Sequence, residues 1–410
     1  MDLPISDHPL AHCRNPGARR GAAPPASLLA LLSPDAARAA RREIASWPGY
    51  APTPLVDLRG LAAAAGLGRI LYKHEAPRFG LGSFKALGGA YAVLRVLQEA
   101  LRAAGIAEEA SSADLRAGCW REETARITVA CATDGNHGRS VAWGARMFGC
   151  RCVIYLHETV SAAREQAIAR FGAEIRRVSG TYDDAVRRAA EDAAAHGWIV
   201  VSDTSYPGYL DIPRNVMLGY TVMVDEAVAQ FPSGEEPTHL FLQGGVGGLA
   251  AAVAARFWQL YGSDRPRVVV VEPDRAACLF ESARQGRPVG VPGDLDTIMA
   301  GLACGEPSLL AWQILEAVAD DFLTIPDAAA VETMRLLAFP PAEDPPLVAG
   351  ESAVAGLAAV LLARRRSDLA AALELREDSR VLLIGSEGAT DPETWAHLVG
   401  TAPESVGEVL

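Results

Sequence analysis

A chain of 410 residues is long enough for two or three domain-sized units with a large buried core. Hydrophobic residues make up 50%, charged residues 21% and aromatics 6%, which excludes a disordered chain and suits an alanine-rich α/β protein. With 38 basic and 50 acidic residues the net charge is −12, which repels nucleic acid and anionic membranes, so neither is expected as a partner. The first residues lack a basic region followed by an apolar core, and the best uncharged stretch, 240–255, is interrupted by four glycines. A cytoplasmic protein is the expectation. Seven cysteines without metal-type spacing read as free, mostly buried thiols, with a Cys278 to Cys304 bridge as the alternative. No catalytic metal cluster is expected.

Taken in chain order, 69–75 reads as a strand and 88–104 as a helix, with a glycine-rich turn between them. The polar stretch 108–123 reads as a loop or insertion. Strand-like runs follow at 127–132, 152–156, 174–178 and 198–202, and helical spacing of apolar residues at 161–171 and 182–196. After Asp211 the alternation resumes through 218–229, 240–242, 268–272 and 381–384. This rhythm of strand and helix predicts parallel sheets covered on both faces.

Four places in that pattern carry chemistry. In the run 79–89, Lys85 is flanked by Phe84 and Ala86-Leu87; burial would lower its pKa and free the amine to condense with an aldehyde. Snorkelling to water from a helix start is the plainer alternative. The loop Thr133-Asp134-Gly135-Asn136-His137-Gly138 joins a strand to a helix start, where backbone N–H groups can hold a carboxylate. The loop Gly244-Gly245-Val246-Gly247-Gly248 follows another strand and opens an alanine-rich helix, an arrangement that wraps and electrostatically favours a phosphate. Gly385-Ser386-Glu387-Gly388 follows a fourth strand and offers one hydroxyl. A Gly-rich turn alone is often only a sharp connection. A reactive lysine with a carboxylate loop, a phosphate loop and a hydroxyl loop together describes a pocket for pyridoxal 5′-phosphate.

These residues resemble the fold-type II pyridoxal-phosphate enzymes, the group of the tryptophan synthase β-subunit and threonine dehydratase. More narrowly the chain is similar to the diaminopropionate ammonia-lyases, through 79–89, 132–139, Ser202-Asp203-Thr204 with Gly208-Tyr209 and Ile212-Pro213, 301–307, Gly350-Glu351-Ser352 and 386–392. The resemblance implies two open, twisted, mainly parallel sheets flanked by helices. It also implies a large cofactor-binding domain, 1–90 with 212–410, carrying an inserted smaller domain, 91–211, with the cofactor in the cleft between them. A homodimer is expected on the same ground. Ser83, Gly244-Gly245 and Gly385-Ser386 depart from the family pattern, which bears on substrate preference and not on cofactor use.

Carried over residue by residue, the resemblance makes Lys85 the covalent anchor of the cofactor and then a base. Phe84 and Lys85 flank the cofactor, Gly244, Gly245, Val246, Gly247 and Gly248 bind its phosphate, Asn136 its ring hydroxyl, and Ser386 its pyridine nitrogen. Thr133, Asp134, Gly135, Asn136 and His137 form the substrate side, with His137 read mainly as packing. Asp134 becomes a second base, opposite Lys85, and Asp203 either polarises Asp134 or holds the substrate's second ammonium. For both aspartates a turn or cap role is the plainer alternative. The implied activity is α,β-elimination of 2,3-diaminopropionate, of one or both enantiomers, to pyruvate and ammonia through aminoacrylate. A serine or threonine dehydratase or β-replacement enzyme is the alternative within the fold, and a non-catalytic amino-acid sensor the alternative outside it.

Overall fold

The computed structural model describes residues 5–133, 135–341 and 344–407. The fold is α/β with two separate sheets. The chain divides into two compact units, one formed by Met1–Pro34, Ala51–Ser83 and Met223–Leu410, the other by Asp35–Tyr50 and Phe84–Val222. The second unit thus begins before residue 91 and also takes in an early segment. The helix Lys85–Ala103 is continuous across residue 90, and the helix Asp211–Gln230 runs on past residue 222 with Pro213 tolerated in its first turn.

The first unit contains a seven-stranded sheet in the order Ala11–Arg14, Asp321–Ile325, Arg267–Pro273, His239–Gln243, Arg380–Gly385, Arg69–His74, Leu55–Asp57. The five inner strands are parallel, and the two outermost run antiparallel to their neighbours. Val268, Val269, Val270 and Val271 are fully buried, as expected for a parallel strand covered on both faces. From His239–Gln243 the chain steps to Arg267–Pro273 and Asp321–Ile325 on one side, then returns to Arg380–Gly385 on the other. That reversal makes a switch point between His239–Gln243 and Arg380–Gly385, and ligands of open α/β sheets bind outside the carboxyl ends of such strands. The loop 244–248 and Ser386 leave from these two ends.

Three strands of this sheet, Ala11–Arg14, Leu55–Asp57 and Asp321–Ile325, are not evident in the sequence. Two are short edge strands whose side chains do not alternate. The third opens on a buried aspartate, Asp321, made tolerable by an ion pair to Arg267 Nε at 2.7 Å. The stretch 108–123, expected as a loop, contains short helices at Ser112–Ala117 and Arg121–Thr124, the first capped by the Ser111 hydroxyl accepting from Asp114 N at 3.1 Å. Neither is long enough to print a helical period on the sequence.

The second unit holds a four-stranded, all-parallel sheet in the order Glu174–Val178, Arg151–His157, Thr128–Ala132, Ile199–Val200. Its helices Lys85–Ala103 and Asn136–Phe148 meet along a seam of small residues. A Cβ on Gly89 would lie 2.5 Å from Ser140 Oγ, and one on Gly144 only 2.7 Å from Ala90 Cα. The Ser140 hydroxyl donates to Lys85 O at 2.6 Å and accepts from Ala90 N at 3.1 Å, pinning the first turn of the lysine's helix.

Within the first unit a buried charge cluster fixes the segment that leads to Lys85. Arg78 Nη1 and Nη2 meet Glu226 at 2.8 and 2.7 Å, and Arg78 Nε meets Glu75 at 2.9 Å. Lys73 Nζ lies 2.9 Å from Glu226, and it donates to Thr53 O at 2.6 Å. Two cations and two carboxylates balance, so the cluster is tolerable only intact. Replacing Arg78 with Leu should reduce unfolding free energy by about 3–5 kcal/mol, measured by urea denaturation, because two carboxylates lose their partner in the interior.

His239 gives a pH signature. Burial, opposed by the hydrogen bond to Leu373 O at 3.0 Å and aided by nearby Arg267, lowers its imidazole to about 4 from an ordinary 6.5. A group that protonates less readily when folded costs stability as acid charges the unfolded chain. The loss begins as pH drops below 6.5 and is complete near 4. Between pH 7 and 4, His239→Gln should lose about 2–3 kcal/mol less stability than the parent, as read by urea melts at the two pH values.

Candidate active site

Lys85 opens its helix directly after Phe84. Its ammonium is ion-paired with Asp203 Oδ2, and it lies 5.4 Å from the centroid of the Phe84 ring and 5.9 Å from that of Tyr220. The two rings are themselves in contact, with centroids 4.6 Å apart. Tyr220 is seated by two glycines: a Cβ on Gly88 would lie 2.4 Å from its ring, and one on Gly219 would lie 2.3 Å from Leu87 O. Lys85 therefore does not simply snorkel to water; its side chain is only 21% exposed and faces a carboxylate.

Asp203 sits in the loop after Ile199–Val200. Burial alone would raise its carboxyl, but Lys85 and then His137 overcome this and hold it well below the ordinary carboxylate range. Its loop is tied to the strand end by Tyr209, whose hydroxyl accepts from Ser202 N and donates to Val200 O, both at 2.9 Å. His137 is buried, not merely beneath the loop but facing Asp203. Its Nε2 bonds Val201 O at 2.9 Å, and its Nδ1 lies 3.8 Å from Asp203 Oδ2. A carbonyl only accepts, so Nε2 carries the proton, and Nδ1 is the atom turned to the carboxylate.

Asp134 lies outside the described residues. Around it, Thr133 Oγ1 accepts from Gly135 N at 3.0 Å and from Gly138 N at 3.1 Å. That hydroxyl shapes its own loop. A Cβ on Gly138 would sit 2.2 Å from Thr133 Cγ2, so the loop closes only with glycine there. Arg139 donates to Asn136 Oδ1, which makes the amide NH2 the donor end of Asn136 and suits it to an oxygen on a ring.

The first unit carries the remaining predicted residues. Gly245 and Gly247 take positive φ, 63° and 97°, which folds the loop back at the start of the helix Gly248–Tyr261. Among the described residues the amides of Gly245, Val246, Gly248 and Leu249 donate no hydrogen bond, an open cradle at a helix N-terminus. Behind it, a Cβ on Gly244 would meet Glu272 Cγ at 2.5 Å. Glu272 accepts from Leu279 N at 3.0 Å and Phe280 N at 2.7 Å, and burial pushes its carboxyl up to about 8. Near neutrality it therefore brings little negative charge to the back of an anion cradle. Cys278 and Cys304 are not joined in a disulfide. Ser386 is buried and accepts from Gln243 Nε2 at 3.1 Å.

An amine beside aromatic rings, an amide cradle without internal partners and a buried hydroxyl are the donor set that a phosphorylated pyridine aldehyde requires. In the second unit Lys85 could take an aldehyde and Asn136 could donate to a ring oxygen; in the first, 244–248 could hold a phosphate and Ser386 could meet a ring nitrogen. Sequence reasoning did not find Tyr220, Ser140 or Gln243, and met Arg139 only as the end of the stretch 132–139, with no role given to it. Gln243 alone had a local signal, as the one amide ending an apolar run before the glycine loop. The others depend on how helices pack.

The sequence pattern of the family described as pyridoxal-phosphate dependent enzyme matches residues 46–387. The diaminopropionate ammonia-lyase of Escherichia coli strain K12 is 41% identical over 380 residues, covering 92% of this chain and 94% of that protein. A crystal structure of the holo diaminopropionate ammonia-lyase from Escherichia coli superimposes with a TM-score of 0.87 at 37% identity, covering 96% of this chain and 97% of that one. A second structure of that enzyme, in complex with an aminoacrylate-PLP azomethine reaction intermediate, gives 0.85 at 37% identity, covering 96% and 98%. On this combination of lysine, cradle, hydroxyl and full-length similarity, the chain belongs to the pyridoxal-phosphate dependent enzymes and, within them, to the diaminopropionate ammonia-lyase family.

Proposed function

We propose that this protein eliminates ammonia from 2,3-diaminopropionate, releasing aminoacrylate that water converts to pyruvate and a second ammonia. The observation that carries the reading is the ion pair of Lys85 with Asp203. Were Lys85 bonded to the cofactor, its free ammonium would no longer be available to Asp203, and that carboxylate would be open to another cation. A substrate with a second ammonium supplies one, at the atom that must leave; a hydroxyl substrate does not.

When bound, the cofactor supplies the aldehyde that takes the substrate amine and a pyridine ring that draws electrons away from the Cα–H bond. The residues do the rest. Lys85, released, accepts the Cα proton. Asp203 orients the departing ammonium, and His137 Nδ1 faces Asp203 from the other side, positioned to balance its charge as the ammonium leaves. Backbone amides of the 133–138 loop hold the substrate carboxylate, and Phe84 and Tyr220 exclude water around the lysine. Asp134 remains the proposed second base, serving the other enantiomer. We also propose a cytoplasmic homodimer, on the family resemblance for the dimer and on the acidic composition for the lack of membrane partners; no helix among the described residues is long and apolar enough to cross a membrane.

The deciding experiment incubates purified holoenzyme with each enantiomer of diaminopropionate, serine and threonine, and measures keto acid and ammonia. Two ammonia per pyruvate from diaminopropionate, with kcat/KM well above that for serine, is the expected result. Higher kcat/KM on serine or threonine, with one ammonia per keto acid, would make it a dehydratase instead. Asp203→Asn should lower kcat/KM for diaminopropionate by about 10²–10³-fold, with a smaller effect on any residual serine turnover.

A further inference from the structure

The carboxyl ends of His239–Gln243 and Arg380–Gly385 lie side by side, since Val381 pairs with His239, Leu382 with Leu240 and Leu383 with Phe241. Continuing that register sets Gln243 against the strand end from which Ser386 follows. Gln243 is 2% exposed, and its Nε2 points at three acceptors: Ile384 O at 2.6 Å, Ser386 Oγ at 3.1 Å and Ala353 O at 3.4 Å. Two of these are carbonyls, which only accept. Turning the amide over would aim Oε1 at both of their lone pairs, so the fold admits one orientation. The Gln243 Oε1 atom has no hydrogen-bond partner among the described residues, although it is buried. An amide that leaves its own oxygen unsatisfied is being held by its nitrogen.

The consequence falls on Ser386. The amide has two hydrogens: one goes to Ile384 O and the other to Ser386 Oγ, nearer at 3.1 Å than Ala353 O at 3.4 Å, so the hydroxyl accepts on that side and its single hydrogen is directed to a different acceptor. We propose that Gln243 is a positioning residue that fixes the Ser386 hydroxyl as a donor toward the cofactor's pyridine nitrogen, and so keeps that nitrogen free of a proton. The inference rests on the reading that Ser386 meets the ring nitrogen. A nitrogen that accepts from a neutral hydroxyl withdraws electrons less strongly than a pyridinium. That suits a reaction whose carbanion is consumed at once by loss of a β-leaving group, and it disfavours routes that need a long-lived carbanion. A serine free to rotate could present a lone pair as readily as a hydrogen, and the ring would no longer be held in one electronic state.

The test uses holoenzyme loaded with ring-nitrogen ¹⁵N-labelled pyridoxal phosphate, in the parent and in Ser386→Ala, Gln243→Met and Gln243→Glu. In Gln243→Glu the neutral carboxyl has one hydrogen, taken by Ile384 O, and turns a lone pair to Ser386, which must then donate to it. The ¹⁵N resonance should lie at an unprotonated, hydrogen-bonded position in the parent and move toward the pyridinium position in Gln243→Glu. In Gln243→Met, which removes the donor at similar volume, it should move partway, and the cofactor dissociation constant should rise about tenfold. Should Gln243→Glu not fold, Gln243→Met decides. A resonance that stays at the parent position in the Gln243 variants but shifts in Ser386→Ala overturns the role of Gln243 and leaves the placement of Ser386 standing. A resonance indifferent to Ser386→Ala overturns the placement of Ser386, and the inference with it.

Discussion

The ion pair between Lys85 and Asp203 is the constraint on which the second unit of this molecule is organised. Two opposite charges with little access to water are stable only while each has the other. The second unit supplies a setting that makes the pair obligatory: Phe84 and Tyr220 beside the ammonium, His137 beside the carboxylate, and Tyr209 holding the aspartate's loop to its strand. Chemistry that removes the positive charge from the lysine therefore changes what the aspartate will bind. Under the proposed function, substrate choice and cofactor attachment become two aspects of one charge balance.

Under the proposed function the first unit answers a different need, that of holding an anion and a heteroaromatic ring on groups the fold keeps in place. Its glycine loop offers backbone amides, which are fixed by the fold, and Glu272 behind it is kept largely uncharged near neutrality by burial. Ser386 and Gln243 sit at adjacent strand ends, where the parallel register leaves little freedom. Rigid elements of the sheet thus carry the groups whose position must not vary.

Much of this was legible in the sequence because the chemistry is concentrated in loops that follow strands. Lys85, the 133–138 turn, the 244–248 loop and Ser386 each stand where an apolar run ends, and glycine marks the places where backbone approaches closely. Asp203 was legible as a candidate, but its partner was not: Lys85 lies 118 positions away in the chain, and only the packing of the second unit joins them. Tyr220 was hidden for the same reason, inside an uninterrupted helix. The three missed strands, Ala11–Arg14, Leu55–Asp57 and Asp321–Ile325, lacked the long apolar run that the other strands of that sheet print on the sequence. The short helices within 108–123 were masked by polar composition.

The small-residue seam between Lys85–Ala103 and Asn136–Phe148 has a mechanical consequence. Ser140 latches the lysine's own carbonyl, and Gly89 and Gly144 remove any cushion between the two helices. The 133–138 turn is the root of one helix and the lysine is the root of the other, so neither can tilt alone. The seam therefore fixes the spacing between the lysine and the turn, whatever either of them holds.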